Sequence, residues 1–218
     1  MHFKVSTLIF DMDGVITDTM PYHFRAWKSV LAREGVSVSR RDIYQREGQK
    51  GIDSVREIFR EKGRIYTDVI GKRILQEKEE LFKRIFKRKF IAGSRAFIKK
   101  LRSQGFRLAL VTGTSRREAQ KLLPSDLWNC FNAIVCGCDV QNGKPHPEPY
   151  LKALQRLKIR PCEAIVFENA PLGIRSAHKA GLLCLALETS LPRPFLKKAD
   201  AVFSSLKALR SKVAFIKT

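Results

Sequence analysis

Six short, largely apolar runs, at residues 7–10, 107–111, 133–136, 164–167, 182–187 and 201–203, constrain this chain more than any other feature. None alternates apolar and polar residues as a strand with one wet face would. Unbroken runs of this kind suit strands covered on both sides, as in a parallel sheet. Helical patterns separate most of them. Tyr150, Leu151, Leu154 and Leu157 form one apolar stripe; a later helix has Pro171 in its first turn and Gly181 just past its end. Strands alternating with helices predict a doubly wound, Rossmann-like α/β core.

One interval breaks the rhythm, since residues 11–106 contain no strand-like run. They read as helices instead, at 21–34 with a stripe of Tyr22, Ala26, Trp27, Val30 and Leu31, ended by Gly35, and then near 40–47, 52–62 and 67–88. A crossover between parallel strands needs only about a dozen residues. The excess predicts a helical cap inserted at residues 18–88, with 1–17 and 89–218 forming the core.

The polar residues that follow the apolar runs carry the chemistry. Asp11-Met12-Asp13-Gly14 follows the first run, Thr112-Gly113-Thr114-Ser115 the second, Asp139 and then Lys144-Pro145 the third, and Glu168-Asn169 the fourth. In open parallel sheets ligands bind outside the carboxyl ends of the strands, so these residues share one rim. The set suits phosphoryl transfer. One aspartate can attack phosphorus and form an acyl phosphate. A second, two residues on, can protonate the leaving oxygen and later activate water. Clustered carboxylates call for a hard cation such as Mg²⁺, which together with a lysine neutralises charge on the transferring group. Gly14 frees the backbone for a tight turn.

Asp11-Met-Asp13-Gly14-Val-Ile-Thr-Asp18, Thr112, Lys144-Pro145 and Glu168 together resemble the four ordered motifs of the haloacid dehalogenase superfamily, over nearly the whole chain. The branch holding β-phosphoglucomutase and phosphoglycolate-type phosphatases is the most similar. The resemblance implies Asp11 as nucleophile, Asp13 as acid and base, Thr112 with Gly113 and Thr114 around the phosphate, and Lys144 as charge partner. It implies Mg²⁺ held by Asp11, Asp13, Glu168 and Asn169. The fourth motif of that family usually ends in Asp, and Asn169 departs from it, so either Glu168 or Asn169 stands as the direct ligand. In the cap, His23, Trp27 and Lys50 are candidate substrate contacts, while Ser54 stands where a mutase-like cap carries arginine.

The function expected is a Mg²⁺-dependent phosphatase acting on a small phosphorylated metabolite. A sugar phosphomutase is the first alternative, and a nucleic-acid-end phosphatase or basic nucleic-acid-binding protein the second. The last enters because the formal net charge is +21. Residues 81–117 contain twelve Lys or Arg and no acid. Such a field attracts polyanions, but no nucleic-acid-binding motif accompanies it, and only weak, non-specific binding is expected. The cysteines Cys130, Cys136, Cys138, Cys162 and Cys184 read as reduced thiols. With no apolar signal-like or membrane-spanning stretch, a cytoplasmic, monomeric enzyme is expected.

Overall fold

The computed structural model describes residues 1–217. In chain order the elements are β1 (His2–Lys4), β2 (Thr7–Phe10), α1 (Met20–Arg33), α2 (Arg40–Tyr44), α3 (Gly51–Glu61), α4 (Asp68–Ile85), α5 (Ser94–Ser103), β3 (Arg107–Val111), α6 (Arg116–Leu122), α7 (Ser125–Trp128), β4 (Ala133–Val135), α8 (Glu148–Leu157), β5 (Ala164–Glu168), α9 (Pro171–Lys179), β6 (Leu183–Leu187), α10 (Arg193–Leu196), β7 (Ala201–Phe203), α11 (Leu206–Lys212) and β8 (Ala214–Ile216). All six apolar runs are strands of one parallel sheet, in the order β4-β3-β2-β5-β6-β7. The chain leaves β2 for β3 and β4 on one side and returns to β5 on the other. The connections therefore diverge between β2 and β5, where open α/β sheets form their binding crevice.

Successive side chains of each strand enter opposite layers. Ile9, Val111, Val166 and Ala186 pack with α8, α9 and α10, whereas Leu8, Phe10, Leu110, Phe167 and Leu185 pack with α5 and α11. Both faces are thus dry, which is why no polar residue alternates along these strands. Phe10 and Phe167 stack with centroids 4.6 Å apart, and Phe97 of α5 meets both edge-on. Each such ring contributes about 1.5–3 kcal/mol by leaving water.

The helices of the long interval fall where the sequence places them. Pro21 lies in the first turn of α1, and Gly35, at φ 67°, turns the chain after it. Ser39 and Asp42 form a reciprocal cap on α2, and Thr67 accepts the Ile70 amide to start α4. The chain departs and returns side by side: the Asp18 amide donates to the Lys89 carbonyl, and the Ile91 amide to that of Ile16. The small parallel pair β1–β8 lies apart from the main sheet and joins the two ends of the chain.

Candidate active site

Asp11 follows β2 directly, and its amide donates to the Phe167 carbonyl of β5, which holds it at the crevice. Gly14 turns the chain at φ 83°. A Cβ there would lie 2.1 Å from Asn169 Nδ2, so only glycine allows the β2 and β5 loops to approach this closely. Lys144 is buried between two acids, with Nζ 2.6 Å from Asp11 Oδ1 and 2.7 Å from Glu168 Oε1. Burial opposes its charge, but Asp11 and Glu168 outweigh burial and raise its pKa, so the ammonium is fixed.

Glu168 has little left to offer a metal. Its Oε1 accepts from Lys144 and from the Tyr150 hydroxyl at 2.8 Å, and its Oε2 accepts the backbone amides of Asn169 and Ala170 at 3.0 and 3.3 Å. Of the two ligands left open by the sequence, Glu168 is thus the one whose oxygens already accept from Lys144, Tyr150 and two backbone amides. The Asp13 carboxylate is engaged by three side chains. Thr19 and His23 approach its Oδ1, the latter at 3.5 Å, and the Thr114 hydroxyl donates to Oδ2 at 3.1 Å. Burial alone would raise the Asp13 carboxyl, yet His23, Thr19 and Thr114 together hold it below the ordinary carboxylate range.

Among the described residues no three His, Cys, Asp or Glu side chains converge on a common metal position. Two buried oxygens nevertheless lack any hydrogen-bond partner, Asp11 Oδ2 and Asn169 Oδ1. Each orphaned acceptor costs about 1–3 kcal/mol, and oxygens without a donor are the ligands a hard cation seeks. Asn169 Oδ1 is thus the fourth motif's oxygen without a donor, and its chemistry fits Mg²⁺.

The same region holds an acid that sequence reasoning missed. Glu47, between α2 and α3, is 8% exposed and accepts from Asn169 Nδ2 through both oxygens, at 2.7 and 2.8 Å. Burial first, and then neighbouring carboxylates, push Asp11 and Glu47 well above the usual acid range, against the pull of Lys144 on Asp11. Asp11 and Glu168 thus share one buried ammonium, and Glu47 stands nearby against Asn169.

A pocket of 130 Å³ opens above these groups, lined by Asp11, Asp13, His23, Trp27, Gly113 and Thr114 among others. It is smaller than the roughly 300–1,000 Å³ of drug-sized ligand sites, so it suits a small ligand. His23 stacks on Phe82 with centroids 4.2 Å apart, and burial, then the charge of Lys78, holds its pKa below the usual imidazole value. Lys78, also missed, lines the pocket with its ammonium 5.3 Å from the Trp27 ring and 5.4 Å from Phe82. Burial lowers its pKa.

Two expected contacts lie elsewhere. Thr112 is buried off the pocket wall, where its hydroxyl accepts the Thr114 amide at 3.1 Å and shapes the loop. Lys50 points away from the pocket and donates to the Val140 carbonyl at 2.9 Å and to that of Gln141 at 2.5 Å. It clasps the 48–50 loop to the core. Gly113 is needed beneath that loop, since a Cβ there would stand 3.0 Å from the Gly48 carbonyl oxygen.

Comparison with known proteins agrees with this architecture. The model of the haloacid dehalogenase-like hydrolases matches residues 8–187. A phosphorylated carbohydrates phosphatase of Thermotoga maritima is 34% identical, with 82% of each chain covered. A β-phosphoglucomutase of Bacillus subtilis is 27% identical over 86% of this chain and 85% of its own. A solved structure provisionally named a β-phosphoglucomutase, from Bacteroides vulgatus, superposes with a TM-score of 0.85 at 32% identity, covering 96% of this chain and 88% of that one. With its motifs in order along a matching fold, the chain belongs to the haloacid dehalogenase-like hydrolase family.

Proposed function

We propose that the chain is a Mg²⁺-dependent phosphatase of small phosphomonoesters, working through a phosphorylated Asp11, with residues 18–88 as a cap over a core of 1–17 and 89–217. The observation that carries this reading is the free, buried Oδ2 of Asp11, opposite the oxygen that Lys144 holds. That atom attacks phosphorus, an Asp11 O–P bond forms, and the bond to the ester oxygen breaks. Asp13 supplies the proton that the departing oxygen needs. Water then attacks the phosphorus of the acyl phosphate, losing its proton to Asp13, and phosphate leaves with Asp11 restored. The His23, Thr19 and Thr114 contacts favour the Asp13 carboxylate, the form the second step uses. Mg²⁺, held at Asn169 and at the Asp11 oxygen that does not attack phosphorus, with Glu47 beside them, would neutralise charge on the carboxylates and the transferring group.

A sugar phosphomutase is the second reading. Lys78 favours it, as a cation in the pocket for a second anionic group. The cap arginines do not add to it: Arg46 is taken up by Glu57, Glu61 and the Asp42 carbonyl, and Arg56 by Asp53 and Asp68. Ser54 bonds to Gln49 and to the Lys50 carbonyl. A distal phosphate would thus meet one ammonium and no free guanidinium fork. The names of the relatives run both ways, to phosphatases and to mutases. The deciding experiment supplies β-glucose 1-phosphate with a trace of glucose 1,6-bisphosphate and follows glucose 6-phosphate and free phosphate together. Free phosphate should dominate; rapid isomerisation with little phosphate released would establish the mutase.

A further inference from the structure

The charge of +21 is not spread evenly. Helices α5 and α11 contain no acidic residue and bury Phe97, Ile98, Leu101, Leu206 and Leu209 against the same side of the sheet. They are neighbours: the Arg210 guanidinium lies 5.8 Å from the Phe97 ring, and Lys217 reaches Gly105 at the end of α5. Their outer surface exposes Lys100, Lys207, Arg210, Lys212 and Lys217. Among the described residues none of these five is paired with an acid. On the far flank of α5, Arg95 and Lys99 share Asp126, an acid contributed by α7. None of these side chains lines the active-site pocket.

We propose that the α5–α11 face is a docking surface for nucleic acid, gripping the phosphate backbone without reading sequence. Unpaired, exposed lysines and arginines on two adjacent helices complement a polyanion by releasing its counterions. The outward positions between them are small or polar, Ala96, Ser103, Ala208 and Ser211. A helix that docks on a bilayer needs large apolar side chains to enter the headgroup region, and both helices commit theirs to the core. With no aromatic residue on the face to stack on bases, backbone contact is the mode left to it.

The test is fluorescence anisotropy of the full chain with two labelled DNA duplexes of unrelated sequence, over a salt series starting at about 50 mM. The two duplexes should bind equally, with log affinity falling linearly in log salt. The triple variant Lys100→Glu, Lys207→Glu, Arg210→Glu should bind at least about tenfold more weakly and lose about two to three units of that slope. The milder triple Lys100→Gln, Lys207→Gln, Arg210→Gln should fall between, and thermal melts verify that both fold. No salt-dependent binding by the unaltered chain would overturn the proposal. So would unchanged binding by both folded variants, or tighter binding to phosphatidylserine vesicles than to DNA.

Discussion

Asn169 joins the helical insert to the end of β5 by donating its side-chain amide to both carboxylate oxygens of Glu47, at 2.7 and 2.8 Å. From sequence alone, restoring the family's acid at 169 should improve metal binding. The Glu47 contact reverses that expectation, because Asn169→Asp would set two buried carboxylates against each other. The single variant should need at least about tenfold more Mg²⁺ for half-maximal hydrolysis. Adding Glu47→Gln should restore the requirement, since donor and acceptor are then exchanged. A single variant with an improved requirement would show that Glu47 does not face position 169 in solution.

Lys50 grips the Val140 and Gln141 carbonyls and not the pocket. Lys50→Gln should therefore lower kcat/KM by a similar factor for every ester in a panel, by loosening the 48–50 loop against residues 140–141. A direct substrate contact would instead discriminate among leaving groups. Hydrogen exchange at residues 48–50 and 140–143 should rise in the same variant.

Lys78 faces the pocket with aromatic rings beside it. Lys78→Gln should raise KM about tenfold or more for esters bearing a second anionic group, the scale of a hydrogen bond to a charged group. Esters with neutral leaving groups should change far less. Equal effects on both would remove Lys78 from substrate recognition.

Asp139, after β4, is tied to Arg116 of α6 at 2.7 Å, to Arg156 of α8 at 3.2 Å and to the Cys136 amide at 2.8 Å. Burial alone would raise its carboxyl, but Arg156, the Cys136 amide and Arg116 lower it to about 2, against an ordinary 3.8. A lowered folded-state pKa adds stability that is fully present above the ordinary value and is lost as pH falls through about 2. Asp139→Asn should melt a few degrees lower at neutral pH. Its difference from the unaltered chain should shrink as the pH is taken below 3.8 towards 2. A constant difference across that window would rule out this linkage.

The strands were legible because a sheet with two dry faces leaves unbroken apolar runs, and most motif residues follow one of them directly. Asp11, Asp13 and Asn169 were picked out that way, and Lys144, well into the loop after β4, by its place in the ordered motifs. The β1–β8 pair was not, since three-residue strands with mostly exposed side chains leave no pattern. Glu47 and Lys78 were missed for a different reason. They reach the site from a loop and a helix of the insert, so no strand end marks them, and their partners lie far away in sequence. The faint signal at Glu47 is an acid directly ahead of Gly48, whose φ of 82° turns the chain towards the core. For Lys50 the sequence could not foresee the carbonyl contacts, because a lysine in a loop looks alike whether it meets a substrate or a carbonyl.

The central claim is that Asp11 carries the phosphoryl group between substrate and water. The most direct measurement quenches turnover with borohydride, which reduces an aspartyl phosphate to homoserine, and maps the modified residue by peptide mass spectrometry. The reduction should appear at residue 11, require substrate and Mg²⁺, and be absent in Asp11→Asn along with hydrolysis. A fully active Asp11→Asn variant, or trapping at another residue, would contradict the account.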